Sequence, residues 1–276
     1  QFEAKKDEIN SNFDFFDCFE EYLTSGSLIK SYNTIKAQRT IKNYLKTFEE
    51  ETGFVITFDK LNDLFYEELM KYSFFEKEIK NNYFAKIIAV LKSFVRWSID
   101  KNYTTNRDFE KFKGIEHDVD IIYLTYDELI KLYNHDFENS RLNHVKDFYC
   151  MGCFTGLRFS DLSQLHRANI TETHINISIQ KTKTQNHIIS LNKFSKEILD
   201  KYRGTIYEPL PKISQQKFND YIKDCCEIIE LDKPTTITWF IGTKKVQNTV
   251  PKHQLITSHT ARKTFITNSL LLGREP

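Results

Sequence analysis

The sequence predicts a mainly α-helical protein of two domains, with one small antiparallel β-sheet in the second. Three observations lead to this fold class. The chain of 276 residues is longer than the commonest single domain. Apolar residues recur at helical spacing through 1–104, whereas they alternate strictly in Ile175, Ile177 and Ile179, as in a strand. Between these regions, 102–120 is polar and lacks either pattern, which is typical of a domain boundary.

The first domain, 1–104, is predicted to be a bundle of helices. Residues 32–48 and 80–100 each carry one apolar stripe at the spacing of a buried helix face. The acidic, apolar-rich stretches 12–22 and 58–72 also favour helices, one before this pair and one between its members. The two stripes consist of Ala37, Ile41, Tyr44, Leu45 and Phe48, and of Phe84, Ile87, Ile88, Leu91, Phe94 and Val95.

Cations occupy the helix faces opposite these two stripes. The formal net charge of the chain is only +1, but 22–48, 79–99 and 233–274 contain basic residues and no acid. Segregated charge can build a basic surface on a neutral molecule, and such a surface is the footprint of phosphate binding. Solvated helix faces would show the same pattern, so charge alone leaves both interpretations open. The candidate phosphate-binding residues of the two helices are Lys36, Arg39, Lys42, Lys86, Lys92 and Arg96.

The second domain, 121–276, is expected to follow a linker at 105–120 and to mix helices with short strands. Thr125 and Glu128 have capping-box spacing at the start of a helix. A buried helix beginning near His144 should end at Gly156, and Ser258 should cap a last helix. The remaining predicted elements are a helix at 159–165, strands at 175–179 and 187–191, helices at 193–203 and 214–230, a β-hairpin at 236–250 and the last helix at 260–272.

Composition narrows the cellular setting. No stretch reaches the roughly 18 uninterrupted apolar residues of a membrane span, and no secretory signal opens the chain. Five cysteines are an odd number without the spacing of a disulfide framework, so a reducing cytoplasm is expected. Cys150 and Cys153 could form half of a zinc site, but no partner pair follows, and their apolar neighbours favour the core of a helix. No metal and no cofactor are predicted.

Three segments of the second domain carry candidate chemistry. Arg158 leaves a glycine turn at a helix start, and Asp161, on the same helix face, could hold its guanidinium group. Lys181 and Lys183 lie near the tip of the predicted strand-turn-strand. Ser258-His259-Thr-Ala-Arg262 places an imidazole and a guanidinium on one face of the last helix. Each segment alone also fits a solvated turn, a core histidine or surface lysines. Together, however, two arginines, a histidine and a lysine could bind a phosphodiester and stabilise the extra negative charge that develops on it during reaction.

The three segments, in this order, resemble the catalytic domain of the tyrosine recombinase or phage integrase family. Their amino-acid sequences are most similar to those of integrases of conjugative transposons. The resemblance covers 121–276, and residues 13–101 are similar to the family's helical, SAM-like core-binding domain. It implies site-specific recombination or integration of a mobile element, by metal-free cleavage and rejoining of duplex DNA through a 3′-phosphotyrosine, in a homo-tetramer on DNA. The cations of the two helices would then face the DNA backbone.

The resemblance also implies a role for each candidate catalytic residue. Arg158 and Arg262 would bind the non-bridging phosphate oxygens, with Asp161 supporting Arg158. His259 would hydrogen-bond the phosphate and assist proton transfer. Lys181 would protonate the leaving 5′-oxygen, because it follows the last apolar strand residue as in the family, although Lys183 stays an alternative.

The family's nucleophilic tyrosine follows the last of these motifs, and none occurs between Arg262 and Pro276. The sequence therefore looks like a truncated recombinase that should bind DNA without cleaving it. A non-catalytic DNA-binding module of the same fold is one alternative. A helical interaction protein with merely solvated basic faces is another, and it predicts no salt-dependent DNA binding.

Overall fold

The computed structural model describes residues 13–179 and 184–273. The chain forms two compact units. The first unit consists of Gln1–Val119 together with Thr238–Gln247, and the second of Asp120–Ile237 together with Asn248–Pro276. Both units are mainly helical, with small sheets, so the predicted fold class is confirmed. The precise domain limits stay a prediction.

The first unit contains four α-helices in its described part. Asp14, Ser31 and Asn62 cap α1, α2 and α3 by accepting hydrogen bonds from backbone N–H groups of the first turn. Helix α2 ends at Gly53, whose φ of +72° is the left-handed conformation that glycine adopts most readily. The helices are α1 (Phe15–Ser27), α2 (Tyr32–Thr52), α3 (Asp63–Lys71, continued by a π-turn at Tyr72–Glu76) and α4 (Asn81–Asp100).

The core of the first unit is largely aromatic. Phe94 of α4 stacks on Phe19 at a centroid distance of 4.2 Å and also contacts Phe15 and Phe58. Every member of the predicted α4 stripe is buried, as are Ile41, Leu45 and Phe48 of α2. The two remaining α2 positions, Ala37 and Tyr44, are half-buried. Residues of the predicted linker also join this core, since Phe109 and Phe112 are buried in it.

The second unit surrounds one central helix. Strands β1, β2 and β3 form an antiparallel sheet in that order, with Ile175 opposite Ile189. Strand β1 was not predicted, because two residues are too short for an alternation pattern. The elements are α5 (Tyr126–Asn134), α6 (Ser140–Thr155), α7 (Phe159–Leu162), β1 (Asn169–Ile170), β2 (His174–Ile179), β3 (Thr184–Ser190), α8 (Lys193–Tyr202), α9 (Gln215–Ile228) and α10 (Ser258–Leu271). A two-stranded hairpin of β4 (Pro234–Ile241) and β5 (Lys244–Pro251) begins and ends in this unit, whereas its Thr238–Gln247 part belongs to the first unit.

Helix α6 is the central element of the second unit, buried at every position from Val145 to Thr155. It packs against α5, α8, α9 and α10. Cys150 and Cys153 belong to this buried surface, as the helix-core interpretation predicts, and burial raises the pKa of both thiols well above their usual range. Among the described residues, no cluster of three or more histidine, cysteine or carboxylate side chains has the arrangement of a metal site.

One of two predicted helix caps is present in the structure. The capping box of Thr125 and Glu128 is present at the start of α5. The prediction that Ser258 caps the last helix was wrong, because Thr257 is the N-cap and forms a capping box with Thr260. Ser258 is instead the first helical residue, and its N–H donates to Oδ1 of Asn219 at 2.8 Å.

Within 13–179 and 184–273, no helix has the length and apolarity that crossing a membrane would require.

Candidate active site

Arg158 is placed by the turn that ends α6. Gly156 ends the helix with a φ of +69°, so its backbone favours glycine. A Cβ atom at this position would also lie only 2.6 Å from Cδ1 of Phe265 in α10. The turn is therefore tight in both conformation and packing. Arg158 follows it as the N-cap residue of α7, with its side chain 29% exposed.

Asp161 lies three residues further on, and its side chain is only 1% exposed. One of its carboxylate oxygens is 4.0 Å from Nη1 of Arg158. Neither oxygen has a hydrogen-bond partner within the described residues. A buried carboxylate without donors is unfavourable unless positive charge lies nearby. The predicted support of Arg158 by Asp161 is thus a charge interaction at the limit of ion-pair distance.

Arg262 reaches the same turn from α10. Its Nη1 donates a hydrogen bond of 2.7 Å to the carbonyl oxygen of Gly156. Burial lowers the pKa of Arg262, and the positive charge of Arg158 lowers it further, while Asp161 partly opposes both effects. The two arginines are therefore close enough to repel each other electrostatically. The structure brings both guanidinium groups into the neighbourhood of one buried carboxylate.

The register of α10 against α6 is set by buried polar contacts and small residues. The hydroxyls of Tyr149 and Thr260 lie 2.9 Å apart, and the Thr264 hydroxyl accepts from the Leu124 N–H at 2.9 Å. A Cβ atom at Gly152 would be 3.1 Å from Cβ of Ala261. These contacts fix the position of α10 along α6, and with it the point at which Arg262 reaches the turn. Sequence spacing alone could not have predicted this position.

His259 occupies the first turn of α10 and is exposed. It precedes Arg262 by three positions, so the two side chains share a helix face. Nearby, Nε2 of Gln215 donates to the Ser258 hydroxyl at 3.2 Å, which ties the start of α10 to the start of α9. Lys181 and Lys183 both lie outside the described residues, between the end of β2 and the start of β3.

The six candidate cations of the first unit fall into two groups. Lys36, Lys86 and Arg96 are exposed, and no acidic partner occurs for them among residues 13–179 and 184–273. The other three are engaged, since Lys92 donates to the Glu110 carbonyl oxygen at 2.9 Å, and the remaining two share one carboxylate. The residues that share it are Arg39, at 2.8 Å, and Lys42, at 2.6 Å, from Glu20.

Glu20 is the residue of this surface that sequence reasoning missed. It belongs to α1, outside the acid-free stretch, and hydrogen bonds from Lys42 and then Arg39 lower its pKa. The acid-free run of 22–48 therefore overstates the charge that α2 presents. Helical spacing of the acids in α1 could have raised the question, but only packing shows which helix they face.

Comparisons with known proteins find likeness in structure but not in sequence. No family model and no curated protein matches the chain. The Tn1549 transposon integrase in complex with transposon right end DNA superposes with a TM-score of 0.69 at 12% identity, over 96% of this chain and 89% of the other. A lambda integrase dimer bound to a COC′ core site gives 0.67 at 14%, over 95% and 92%.

A lambda integrase tetramer bound to a Holliday junction gives a TM-score of 0.64 at 15% identity, over 94% of this chain and 74% of that one. At identities this low, the superpositions show a shared fold, and any shared chemistry has to be argued from the residues of this chain. The chain thus has the integrase fold that its resemblance to the tyrosine recombinases predicts.

Proposed function

We propose that this protein is a site-specific recombinase that integrates a mobile element by cutting and rejoining DNA through a 3′-phosphotyrosine. The observation that supports this most strongly is the approach of Arg158 and Arg262 to one turn and one buried carboxylate. The shared fold of DNA-bound integrases adds weight.

Two neighbouring guanidinium groups would bind an anion. Burial lowers the pKa of Arg262 and repulsion by Arg158 lowers it further, and a bound phosphate would relieve the repulsion. Planar guanidinium donors match the non-bridging oxygens of a phosphodiester, and their benefit grows as negative charge develops in the transition state. Asp161 balances part of the positive charge, so that the pair can exist before DNA arrives. These residues would therefore matter more to cleavage than to affinity.

Proton transfer is assigned to two further residues. His259, exposed beside Arg262, would hydrogen-bond the phosphate and assist the attacking group. Lys181 would protonate the leaving 5′-oxygen, with Lys183 as the alternative. A lysine suits this role because its ammonium group is a point donor on a flexible stem.

The nucleophilic tyrosine is expected downstream of Pro276. Three of the seven tyrosines of the second unit are engaged elsewhere, whereas Tyr126 and Tyr207 are exposed and are excluded as nucleophiles only if residues 1–276 form no adduct. Tyr149 is buried against Thr260, the Tyr202 hydroxyl donates to Asp147 at 2.6 Å, and the Tyr221 hydroxyl accepts from an arginine. Residues 1–276 should thus bind DNA without cutting it.

The first unit is proposed to contact the DNA backbone. Lys36, Lys86 and Arg96 are the best candidates, because they are exposed and unneutralised within the described residues. Arg39 and Lys42 would contribute less while Glu20 holds them. Assembly as a homo-tetramer on DNA and a cytoplasmic location complete the proposal, the latter because all five cysteines are free and buried.

A nicked suicide substrate tests the proposal, because a covalent protein–DNA adduct accumulates when rejoining is blocked. The protein extended past Pro276 to include the tyrosine should form the adduct. Its Arg158→Ala variant should bind the same DNA without forming it. Arg167→Ala is the matched control, since Arg167 is an exposed arginine of the following turn and should leave the yield unchanged.

Three results would count against the proposal or part of it. An adduct from residues 1–276 would mean that an internal tyrosine is the nucleophile. DNA binding by the extended protein with no adduct at any site would favour a non-catalytic module of the same fold. Absence of salt-dependent DNA binding would remove the recombinase assignment altogether.

A further inference from the structure

A basic pocket lies in the second unit, and none of its described lining residues belongs to the candidate active site. It is a cavity of about 520 Å³ bounded by the start of α6, the loop before α9 and the first turns of α9. This volume falls within the range of small-molecule sites. Its lining includes Arg141, His144, Tyr207, Lys212, Lys217 and Tyr221.

Among the described residues, the lining of this pocket carries three cations and no carboxylate. Arg141, Lys212 and Lys217 supply the positive charge, and the other lining residues are neutral or histidine. Arg141 is held in place, because its Nη1 donates to the Tyr221 hydroxyl at 2.9 Å and its guanidinium group lies 5.5 Å from the ring centroid. Concentrated positive charge with no internal counter-charge favours an anionic ligand.

The two helix starts at the pocket reinforce this preference. Ser214, the N-cap of α9, makes no side-chain capping hydrogen bond, and the first turn of α9 contains Lys217 but no acid. The first turn of α6 likewise contains Arg141 and no acid. A cation near a helix N-terminus is unfavourable, because the backbone dipoles already place partial positive charge there. An anion at this position would offset both the dipoles and the side-chain charges.

Aromatic surface borders the same cavity. Tyr207 is 41% exposed, and its ring packs against His144 at a centroid distance of 4.4 Å. Burial lowers the pKa of His144, with Asp147 opposing and Lys201 adding to the effect, so the site favours the neutral imidazole. The pocket therefore combines a cationic side with a flat, uncharged side. A phosphate attached to a planar ring satisfies both.

We propose that this pocket binds a nucleotide, with its phosphate against Lys212, Lys217 and the start of α9 and its base against Tyr207. The nucleotide is either a free ligand or one unit of a DNA strand. The inference rests on the pocket alone and does not require that the protein cleave DNA.

Calorimetric titration of the 276-residue protein tests the pocket with three probes: AMP, adenosine and inorganic phosphate. AMP should bind with a Kd below roughly 1 mM. Adenosine should bind at least tenfold more weakly because it lacks the phosphate, and phosphate should also bind more weakly than AMP because it lacks the ring. Lys217→Gln should weaken AMP binding about tenfold or more, since one lost charge-assisted contact is worth roughly that factor.

Lys223→Gln is the matched control, because Lys223 lies on the same helix but outside the pocket lining. AMP affinity should be unchanged in this variant. Lys212→Gln, a loop substitution, repeats the test if Lys217→Gln perturbs folding, as judged by circular dichroism. The proposal is overturned if AMP does not bind, if adenosine binds as well as AMP, or if the control loses as much affinity as the pocket variants.

Measuring the affinity for duplex DNA distinguishes the two possible sources of the nucleotide. If the pocket receives a unit of DNA, Lys217→Gln should weaken DNA binding as well as AMP binding, and AMP should compete with DNA. If the ligand is a free nucleotide, DNA affinity should be the same in both proteins. Arg158→Ala should leave AMP affinity intact, so failure of the recombinase proposal and failure of this one give different results.

Discussion

Gly156 connects the fold to the candidate active site, and adding one methyl group there tests how tightly they are coupled. The residue has a φ of +69°, and its carbonyl oxygen accepts the hydrogen bond from Arg262. The substitution Gly156→Ala would force a side chain into a left-handed backbone conformation. It would also push the new Cβ against Phe265, whose Cδ1 and Cε1 would lie 2.6 and 2.8 Å away.

The expected loss has a backbone part and a packing part. An alanine in the left-handed region costs roughly 1 kcal/mol relative to glycine. Overpacking against a side chain that must move costs roughly 1–3 kcal/mol. The free energy of unfolding of the second unit should therefore fall by about 2–4 kcal/mol. Because Phe265 and Arg262 share α10, the displacement should also shift the guanidinium group and slow adduct formation.

Gly204→Ala is the matched control in the same unit. Gly204 has a φ of +72°, but no atom of the described residues lies within 4 Å of a Cβ built there, so only the backbone part, about 1 kcal/mol, remains. Urea unfolding followed by circular dichroism measures both variants, and hydrogen exchange in α6 and α10 locates the loss. Equal destabilisation of the two variants, or normal adduct formation by Gly156→Ala, would refute the packing argument.

Three further predictions concern charge and thiols. Glu20→Gln should release two cations, tighten duplex DNA binding and steepen its salt dependence by up to about two in slope; the idea fails if the control Glu21→Gln, which lies on the same helix, tightens binding equally. Asp161→Asn in the extended protein should slow adduct formation by on the order of tenfold or more with little change in DNA affinity, and an unchanged rate would exclude a positioning role. Burial raises the pKa of all five thiols, that of Cys18 to about 11, so they should stay protonated and unreactive toward a disulfide reagent at pH 8 until the protein unfolds; rapid labelling of the folded protein would contradict their burial.

Much of the local structure was predictable because it repeats along the chain. The α4 stripe from Phe84 to Val95 is buried as its spacing predicts, since helix geometry alone places those side chains on one face. The capping box of Thr125 is a short-range hydrogen-bond pattern and was equally visible. The N-cap of α10 was missed by one residue and its start by two, because Thr257 and Ser258 are both good caps, and in the structure the Ser258 N–H donates to Asn219.

What the sequence by itself determined, then, is the inventory: which segments are helices or strands, which faces are apolar, and which arginines and histidine suit a phosphate. Tertiary packing decided which of these groups meet. It brought Arg262 to the carbonyl of Gly156, set Glu20 against the cations of α2, and placed three cations with two tyrosines around one cavity. The physical reason is range: backbone periodicity and capping act over a few residues, whereas a contact between distant segments depends on how whole helices pack.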